Sequence, residues 1–149
     1  SALGLYCKKR ERVNILKKHK EFLLNRYLIP TPRIDLFNYI NRYASASTDI
    51  SDGLYSDLNN ICRTSNLGAD IDFNSIPLSN SARAVISKYP KLNKLILNGG
   101  DDYELLFTGK DGLDRNKSIT KIGKMKKGYN INIADFNDIT DLDGYKHKF

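Results

Sequence analysis

The chain has 149 residues, of which 40% are hydrophobic and 28% charged, and its formal net charge is +7. This length and composition are typical of one globular domain and exclude a disordered chain. No apolar run approaches the roughly 20 residues that a membrane-spanning helix needs, so the sequence predicts a single soluble domain over residues 1–149 with no membrane partner.

The distribution of charge and cysteine bears on partners and compartment. A net positive charge would suit a nucleic-acid partner, but the one dense basic run, KKRERVNILKKHK at 8–20, alternates with apolar residues at helical spacing. We favour the solvated face of an amphipathic helix over RNA binding. Cys7 and Cys62 are not spaced as a metal or disulfide pair, which favours a reducing, cytoplasmic compartment. Met125 is the only methionine, so we expect a processed chain or part of a longer one.

The first half of the chain alternates helical and extended patterns. Helical spacing of apolar residues predicts a helix over 11–27, and Pro30 and Pro32 prevent its continuation. A second helix is predicted to begin at Pro32 and to extend to Tyr43. The small residues of 44–50 predict a strand, and a helix follows from Gly53 to about Asn66.

The second half contains mainly short strands. Strands are predicted at 69–73 (ADIDF), 104–108 (ELLFT), 118–122 and 129–134, and a helix is predicted at 81–89. The basic segment 123–128 (GKMKKG) is predicted to be a turn between the last two strands. Helices in front and strands behind indicate an α/β or α+β layer without an internal repeat.

The segment TDISDGL at 48–54 concentrates negative charge where a strand gives way to a helix. Asp and Ser are favoured helix N-caps, so Asp49, Ser51 and Asp52 have a purely structural explanation. A cap needs only one of them, however. Two nearby carboxylates also suit Mg²⁺, which prefers a few carboxylates together with phosphate oxygens and water. The spacing leaves capping and metal binding open.

A second acidic segment, Gly99-Gly100-Asp101-Asp102, is equally ambiguous. Glycine and aspartate are common turn residues, but glycine also lets backbone N–H groups approach a ligand closely. Two such turns in one domain favour a shared, cation-dependent site. His19 and His147 have no nucleophile arranged around them and are expected on the surface, so the sequence gives little support to a nucleophilic hydrolase.

The motifs TDISDGLYSDLNNI, GADIDFNSIPLS, NGGDDYELLFT, IGKM and the terminal GYKHKF together resemble the C-terminal domain of bacterial thiamine-monophosphate kinases. The segments SALGLYCKK and RYLIPTPR are also similar, so the resemblance covers essentially the whole chain. These kinases are members of the broader aminoimidazole-ribonucleotide synthetase-like family. The resemblance implies an α/β (α+β) fold, with a mixed β-sheet covered by helices.

The resemblance also implies ATP-dependent phosphorylation of thiamine monophosphate to thiamine diphosphate. By matching motif positions, Asp49 and Asp52 would bind Mg²⁺ and Ser51 would contact the phosphates of the co-substrate ATP. Asp101 would lie at the thiamine phosphate, and Tyr145 would offer an aromatic face to the thiamine rings. No residue of this chain is assigned as a catalytic group.

The resemblance implies that the family's N-terminal ATP-binding domain is absent from these 149 residues. We therefore expect the chain alone to be inactive as a kinase, and the alternative is a noncatalytic module that binds phosphorylated ligands. A homo-oligomer is a further expectation. The geometric prediction is that the turns at 49–52 and 99–102 open on the same edge of the fold, with exposed acids.

Overall fold

The structure, a computed structural model, describes residues 1–10 and 13–136. Within these residues the chain forms six α-helices and five β-strands, joined in part by short 3-10 turns. The elements are α1 Ala2–Lys9, α2 Lys17–Leu28, α3 Phe37–Tyr43, β1 Ala44–Asp49, α4 Leu54–Ser65, β2 Leu67–Asp72, α5 Asn80–Lys88, α6 Lys94–Asn98, β3 Leu105–Gly109, β4 Gly123–Lys127 and β5 Ile131–Ala134.

The strands form two separate sheets. β1 pairs antiparallel with β3 in a two-stranded ribbon. β2 is the central strand of a three-stranded sheet, where it is antiparallel to β4 and parallel to β5. The expected mixed α/β fold is thus confirmed. The sequence did not predict that β1 and β3 form a ribbon separate from the mixed sheet.

Two hydrophobic clusters hold these elements together. The larger lies between α4, α6 and both sheets, and its buried members are Leu54, Leu58, Ile61, Cys62, Ala69, Ile71, Ile76, Leu97, Leu106, Ile133 and Phe136. The smaller joins α1, α2 and α5 through Leu3, Cys7, Leu23, Ala82 and Val85. Both cysteines are free and buried, Cys7 in the smaller cluster and Cys62 in the larger.

Most predicted elements are confirmed to within two residues at each end: the strands at 44–50, 69–73, 104–108 and 129–134, and the helices at 53–66 and 81–89. The second predicted helix begins as a 3-10 turn at Ile34–Leu36 and continues as α3. The prediction of a surface position for His19 is wrong, because it is half-buried and its Nδ1 lies 3.0 Å from Ser81 Oγ. His147 lies outside the described residues.

The helix predicted at 11–27 is wrong in its first part. Residues 13–16 are not helical and α2 begins at Lys17, while residues 11 and 12 lie outside the described part of the chain. Val13 and Ile15 pack against the smaller cluster from this connection. β-branched residues are weak helix formers, so burial of Val13 and Ile15 in a nonhelical connection competes well with a helix here.

The strand predicted at 118–122 is also wrong, because the strand is β4, the basic segment predicted to be a turn. β4 lies at the edge of the three-stranded sheet, with Met125 opposite Ala69 of β2. Lysines are common on edge strands, where they face solvent and oppose further pairing. A lysine-rich composition is therefore compatible with an edge strand as well as with a turn.

No helix in the described ranges, 1–10 and 13–136, is long and apolar enough to cross a membrane.

Candidate functional site

The two acidic turns lie side by side at one end of the β1–β3 ribbon. The first acidic turn, residues 49–53, leads from β1 into α4, and the second acidic turn, residues 99–104, leads from α6 into β3. Because β1 and β3 are antiparallel, the end of β1 lies beside the start of β3, with Asp49 opposite Leu105. The prediction that both turns open on one edge is confirmed.

Backbone hydrogen bonds join the two turns directly. The Ile50 amide donates to the Glu104 carbonyl at 2.9 Å, and the Tyr103 amide donates to the Ile50 carbonyl at 2.9 Å. One residue further, the Asp101 amide donates to the Ser51 carbonyl at 2.9 Å. The ribbon therefore extends into the turns, and the backbones that carry the candidate ligands have fixed relative positions.

Glycine at two positions makes this close approach possible. A Cβ atom on Gly100 would lie 2.1 Å from the Ser51 carbonyl oxygen. Gly53 has a φ of +116°, and a Cβ atom there would lie 2.8 Å from the carbonyl carbon of Asn98. Any side chain at Gly100 would separate the two turns.

The structure brings together four of the five residues predicted from the sequence. Asp49 and Asp101 are exposed, whereas Ser51 and Asp52 are half-buried. The expectation of exposed acids is thus correct for Asp49 and Asp101 and only partly correct for Asp52. Tyr145 lies outside the described residues.

The capping explanation for the first acidic turn is wrong. The N-cap of α4 is Gly53, and no side chain accepts a capping hydrogen bond there. In residues 1–10 and 13–136, the carboxylates of Asp49 and Asp52 accept no hydrogen bond from the backbone N–H groups of this helix. The two acids are therefore not explained by helix capping.

Asp57 is the buried acid of this region, and the sequence analysis did not single it out. Only 3% of the residue is exposed, and its Oδ2 accepts hydrogen bonds from the amides of Ser51 at 3.0 Å and Asp52 at 3.1 Å. Burial raises the pKa of Asp57, while backbone hydrogen bonds from Asp52, Ser51 and Gly53 act in the opposite direction. A signal was present in the sequence: Asp57 lies on the same helical face as the buried Leu54 and Ile61.

The contacts of Asp57 limit how the first acidic turn can bind a phosphorylated ligand. Glycine-rich phosphate sites often use free backbone N–H groups at a helix start. Here the amides of Ser51 and Asp52 are already bonded to an internal carboxylate. This turn therefore offers side-chain oxygens to a ligand, not these two backbone amides.

Tyr103 is a second residue that the sequence analysis did not single out. Its ring is 39% exposed, and its hydroxyl donates to Asp101 Oδ1 at 3.3 Å. The Asp101 carboxylate raises the pKa of Tyr103, and the charge of Asp49 contributes in the same direction. Because both acids act on one phenol, Asp49 and Asp101 belong to one small negatively charged area.

The backbone of the second acidic turn is in an unusual conformation. Asp101 has a φ of 61° and Tyr103 a φ of 52°, a region that residues other than glycine rarely adopt. Such conformations are often concentrated at binding sites, because a fold has to hold them in place. Hydrogen bonds from the amides of both residues to the first acidic turn provide that support.

Two arginines add positive charge next to this edge. Arg26 donates to Glu104 Oε1 at 2.9 Å, and Arg33 donates to Glu104 Oε2 at 3.3 Å. Glu104 is the last residue of the second acidic turn, so the guanidinium groups lie beside the site. Nothing in the spacing of the sequence indicated this pairing.

The carboxylates of Asp49 and Asp52 are possible ligands of a metal ion. The described ranges contain no cluster of three or more His, Cys, Asp or Glu side chains that could hold an ion by themselves. Mg²⁺ usually keeps several waters and is bound by one or two carboxylates together with substrate phosphates. Asp49 and Asp52 fit this second arrangement, in which the nucleotide supplies part of the coordination.

The comparisons with known proteins agree with the motif resemblance. No protein-family model matches the chain. Thiamine-monophosphate kinase of Aquifex aeolicus (strain VF5) is 40% identical over 127 residues, which are 84% of this chain and 41% of that protein. The thiamine-monophosphate kinase of Buchnera aphidicola subsp. Acyrthosiphon pisum (strain APS) is 34% identical in an alignment of 149 positions, which covers 96% of this chain and 42% of that protein.

Solved structures give the same result. AaThiL complexed with AMPPCP and TMP superimposes with a TM-score of 0.85 at 34% identity, over 99% of this chain and 48% of that one. Thiamine-monophosphate kinase from Stenotrophomonas maltophilia K279a superimposes with a TM-score of 0.77 at 32% identity, over 89% of this chain and 46% of that one. The chain thus spans less than half the length of these relatives.

Fold and site together define a mixed α/β domain in which two acidic, glycine-containing turns are joined at one end of a β-ribbon. The sequence and structure matches then identify the lineage. The chain belongs to the thiamine-monophosphate kinase family and corresponds to the C-terminal part of its members.

Proposed function

We propose that this chain forms the C-terminal half of an ATP-dependent thiamine-monophosphate kinase, which converts thiamine monophosphate to thiamine diphosphate. The observation that carries the proposal is the hydrogen-bonded pair of acidic turns. It occurs in a domain that superimposes with a TM-score of 0.85 on a protein complexed with AMPPCP and TMP. The proposed partners are ATP, thiamine monophosphate and an N-terminal domain of the same family.

The proposed roles are those that the motif resemblance implies. Asp49 and Asp52 would hold Mg²⁺ together with nucleotide phosphates, and Ser51, between them, would contact the ATP phosphates. Asp101 lies on the second turn and is exposed, and we place it at the thiamine phosphate site, where a bound cation would separate the two anionic groups. Tyr145 remains the proposed aromatic partner of the thiamine rings.

Phosphoryl transfer depends mainly on positioning and on neutralising phosphate charge. Mg²⁺, when bound, supplies most of that positive charge. The residues of this chain fix the position of the first acidic turn relative to the second, because the two turns share three backbone hydrogen bonds. A phosphate contact at Ser51 and one at Asp101 would therefore be held in register by the Asp101 amide bond to the Ser51 carbonyl.

The chain alone is expected to lack appreciable kinase activity. Two carboxylates on one turn hold too few Mg²⁺ ions to neutralise a triphosphate, and the described residues offer no larger metal-binding cluster. The measurement is turnover of ATP with thiamine monophosphate by the chain alone and after addition of the N-terminal half of a thiamine-monophosphate kinase. Activity should appear only in the mixture.

Variants of the reconstituted mixture test the assignment of residues. Asp49→Asn and Asp52→Asn should each lower kcat by roughly 10²-fold or more, because a lost ligand weakens charge neutralisation. Asp114→Asn, on the exposed turn Leu113–Arg115, is the matched control and should have no effect. Full activity of both ligand variants, or clear activity of the chain alone, would contradict the proposal.

A noncatalytic module that binds phosphorylated ligands is the second candidate. No cluster of three or more metal-binding side chains in the described residues could hold an ion by itself, which fits a module that binds a ligand without turnover. Calorimetry with ATP and with thiamine monophosphate, each with and without Mg²⁺, distinguishes the candidates. Mg²⁺-dependent heat without turnover in the reconstituted mixture supports the module. The cytoplasm remains the proposed compartment for either candidate.

A further inference from the structure

We propose that Asp57 is a positioning residue that holds the first acidic turn in its binding conformation by accepting the backbone amides of Ser51 and Asp52. This inference rests on the proposed function, because it assigns a purpose to the shape of that turn. Asp57 itself touches no ligand in this scheme. It acts through Ser51 and Asp52, which carry the candidate contacts to phosphate and to Mg²⁺.

The geometry supports the assignment in three ways. Asp57 is 3% exposed, so its carboxylate faces the protein and not a ligand. One oxygen, Oδ2, accepts both amides, at 3.0 Å and 3.1 Å. Both donors belong to the turn that carries Asp49 and Asp52, so the orientation of this short backbone segment depends on one acceptor.

An acid at this position adds nothing to the apolar packing, although it lies in the first turn of α4, where the helix dipole favours a negative charge. Leu54, Leu58 and Ile61, the neighbours of Asp57 on the same face of α4, all belong to the larger hydrophobic cluster. A buried acid in such surroundings is costly unless its oxygens are hydrogen-bonded. A leucine would contribute more to the core, but it would leave the amides of Ser51 and Asp52 without an acceptor.

The turn is supported from both sides by this arrangement. Asp57 binds the amides of Ser51 and Asp52, while the carbonyl of Ser51 accepts the amide of Asp101 from the second acidic turn. Removing the first support leaves Ser51 held only by its carbonyl. We infer that the candidate ligands of the first turn then lose their alignment with the second turn, although the ribbon persists.

Amide hydrogen exchange of the 149-residue chain, measured by NMR, tests the contact without any ligand. In the wild type, the Ser51 and Asp52 amides should exchange at least about tenfold more slowly than unprotected amides. Asp57→Ala should remove this protection while the amides of β2 stay protected. Asp57→Asn should retain most of it, because both bonds reach a single oxygen that an amide oxygen can replace.

Titration of the chain with Mn²⁺ in the presence of saturating ATP tests the positioning role. Mn²⁺ is a paramagnetic substitute for Mg²⁺, and the nucleotide supplies the phosphate oxygens that complete its coordination. The amide signals of Asp49 and Asp52 should broaden in the wild type and in Asp57→Asn. In Asp57→Ala, at least about tenfold more Mn²⁺ should be needed for the same broadening. Asp114→Asn is the control and should match the wild type in both experiments.

The outcomes separate this inference from the proposed function. If Mn²⁺ broadens the wild-type signals but the Ser51 and Asp52 amides exchange freely, the inference is wrong and the metal assignment stands. Absence of broadening in the wild type overturns both, even with protected amides. Equal impairment of Asp57→Asn and Asp57→Ala would show that the negative charge matters and would overturn the hydrogen-bonding role. If Asp57→Ala does not fold, the exchange rates of the Ser51 and Asp52 amides in the wild type and in Asp57→Asn still test the inference, which fails if these amides are unprotected in the wild type.

Discussion

Gly100 is the residue at which the second acidic turn touches the first. Its missing side chain leaves room for the Ser51 carbonyl, which a Cβ atom at position 100 would approach to 2.1 Å. The clash would be with backbone, so no flexible side chain can move away to relieve it. The close approach of the two turns therefore requires glycine at position 100, because even the methyl group of alanine would push them apart.

Gly100→Ala should destabilise the protein by about 2 kcal/mol or more, because a methyl group forced against backbone displaces it. Gly128→Ala is the matched control: Gly128 has a φ of +93° but no atom within 4 Å of an added Cβ, so only backbone strain applies. That strain costs about 1–2 kcal/mol. Urea unfolding measures both values, and an equal or larger loss in Gly128→Ala would contradict the steric argument.

At the scale of single elements, α4 shows how much a local pattern determines. It begins after Gly53 and ends at Asn66, which has φ 54° and ψ 41°, the left-handed conformation common at helix C-termini. Both boundaries were predictable, because glycine and asparagine are typical of these positions. The apolar stripe of Leu54, Leu58 and Ile61 predicted the buried face as well.

Asn66→Gly should stabilise the protein by a few tenths to about 1 kcal/mol, since glycine adopts the left-handed conformation without steric cost. Asn60→Gly is the matched control, the same change at an exposed position inside α4. There, glycine should destabilise by roughly 0.5–1 kcal/mol. Thermal or urea unfolding gives both signs, and two changes of the same sign would refute the role of the terminal conformation.

In the three-stranded sheet, an ion pair joins β2 to its basic edge strand. Lys126 of β4 contacts the Asp70 carboxylate, which also accepts from Asn132 of β5 at 3.1 Å. The hydrogen bond from Lys126 holds the pKa of Asp70 below its usual value, and the charge of Lys126 adds to this. The pair thus links all three strands on one face.

The ion pair between Asp70 and Lys126 should make the free energy of unfolding decrease at acidic pH. Because the pKa of Asp70 is lower in the folded state, its contribution is complete above the unfolded pKa of about 3.9 and is lost as pH falls through the folded pKa. Asp70→Asn should therefore flatten the decrease in unfolding free energy below about pH 4. Lys126→Met should flatten it similarly. An unchanged slope in both variants would show that the pair does not contribute.

The same sheet shows where a sequence-based interpretation fails. β4 has lysines at three of its five positions, and this composition predicted a turn because nothing local identifies an edge. Edge position is a property of the assembled sheet. Asp57 was overlooked for a related reason: its partners Ser51 and Asp52 are near in sequence, but its burial depends on the assembled fold, in which distant elements pack against α4.

At the scale of the whole molecule, the sequence predicted where the candidate site residues lie but not which residues support them. The four predicted residues that the structure describes were identified by motif resemblance, and the structure places them on two hydrogen-bonded turns. Their proximity was expected from the motif resemblance, which implies that the two turns open on the same edge of the sheet. The support that Arg26 and Arg33 give to Glu104 depends on how α2 and the following connection pack, which no local pattern specifies.

The pairing of β1 with β3 also has a consequence for the order of folding. Four elements, α4, β2, α5 and α6, lie between the two paired strands in the chain. Closing so long a segment is entropically costly, and contacts between distant residues form slowly. The hydrogen bonds that join the two turns should therefore form only after α4 has become protected. Pulsed hydrogen exchange during refolding measures this: the Asp101 and Tyr103 amides should gain protection later than those of α4. The part of the molecule that meets the ligand would then be completed last, and a nascent chain would have no competent site until β3 has been synthesised.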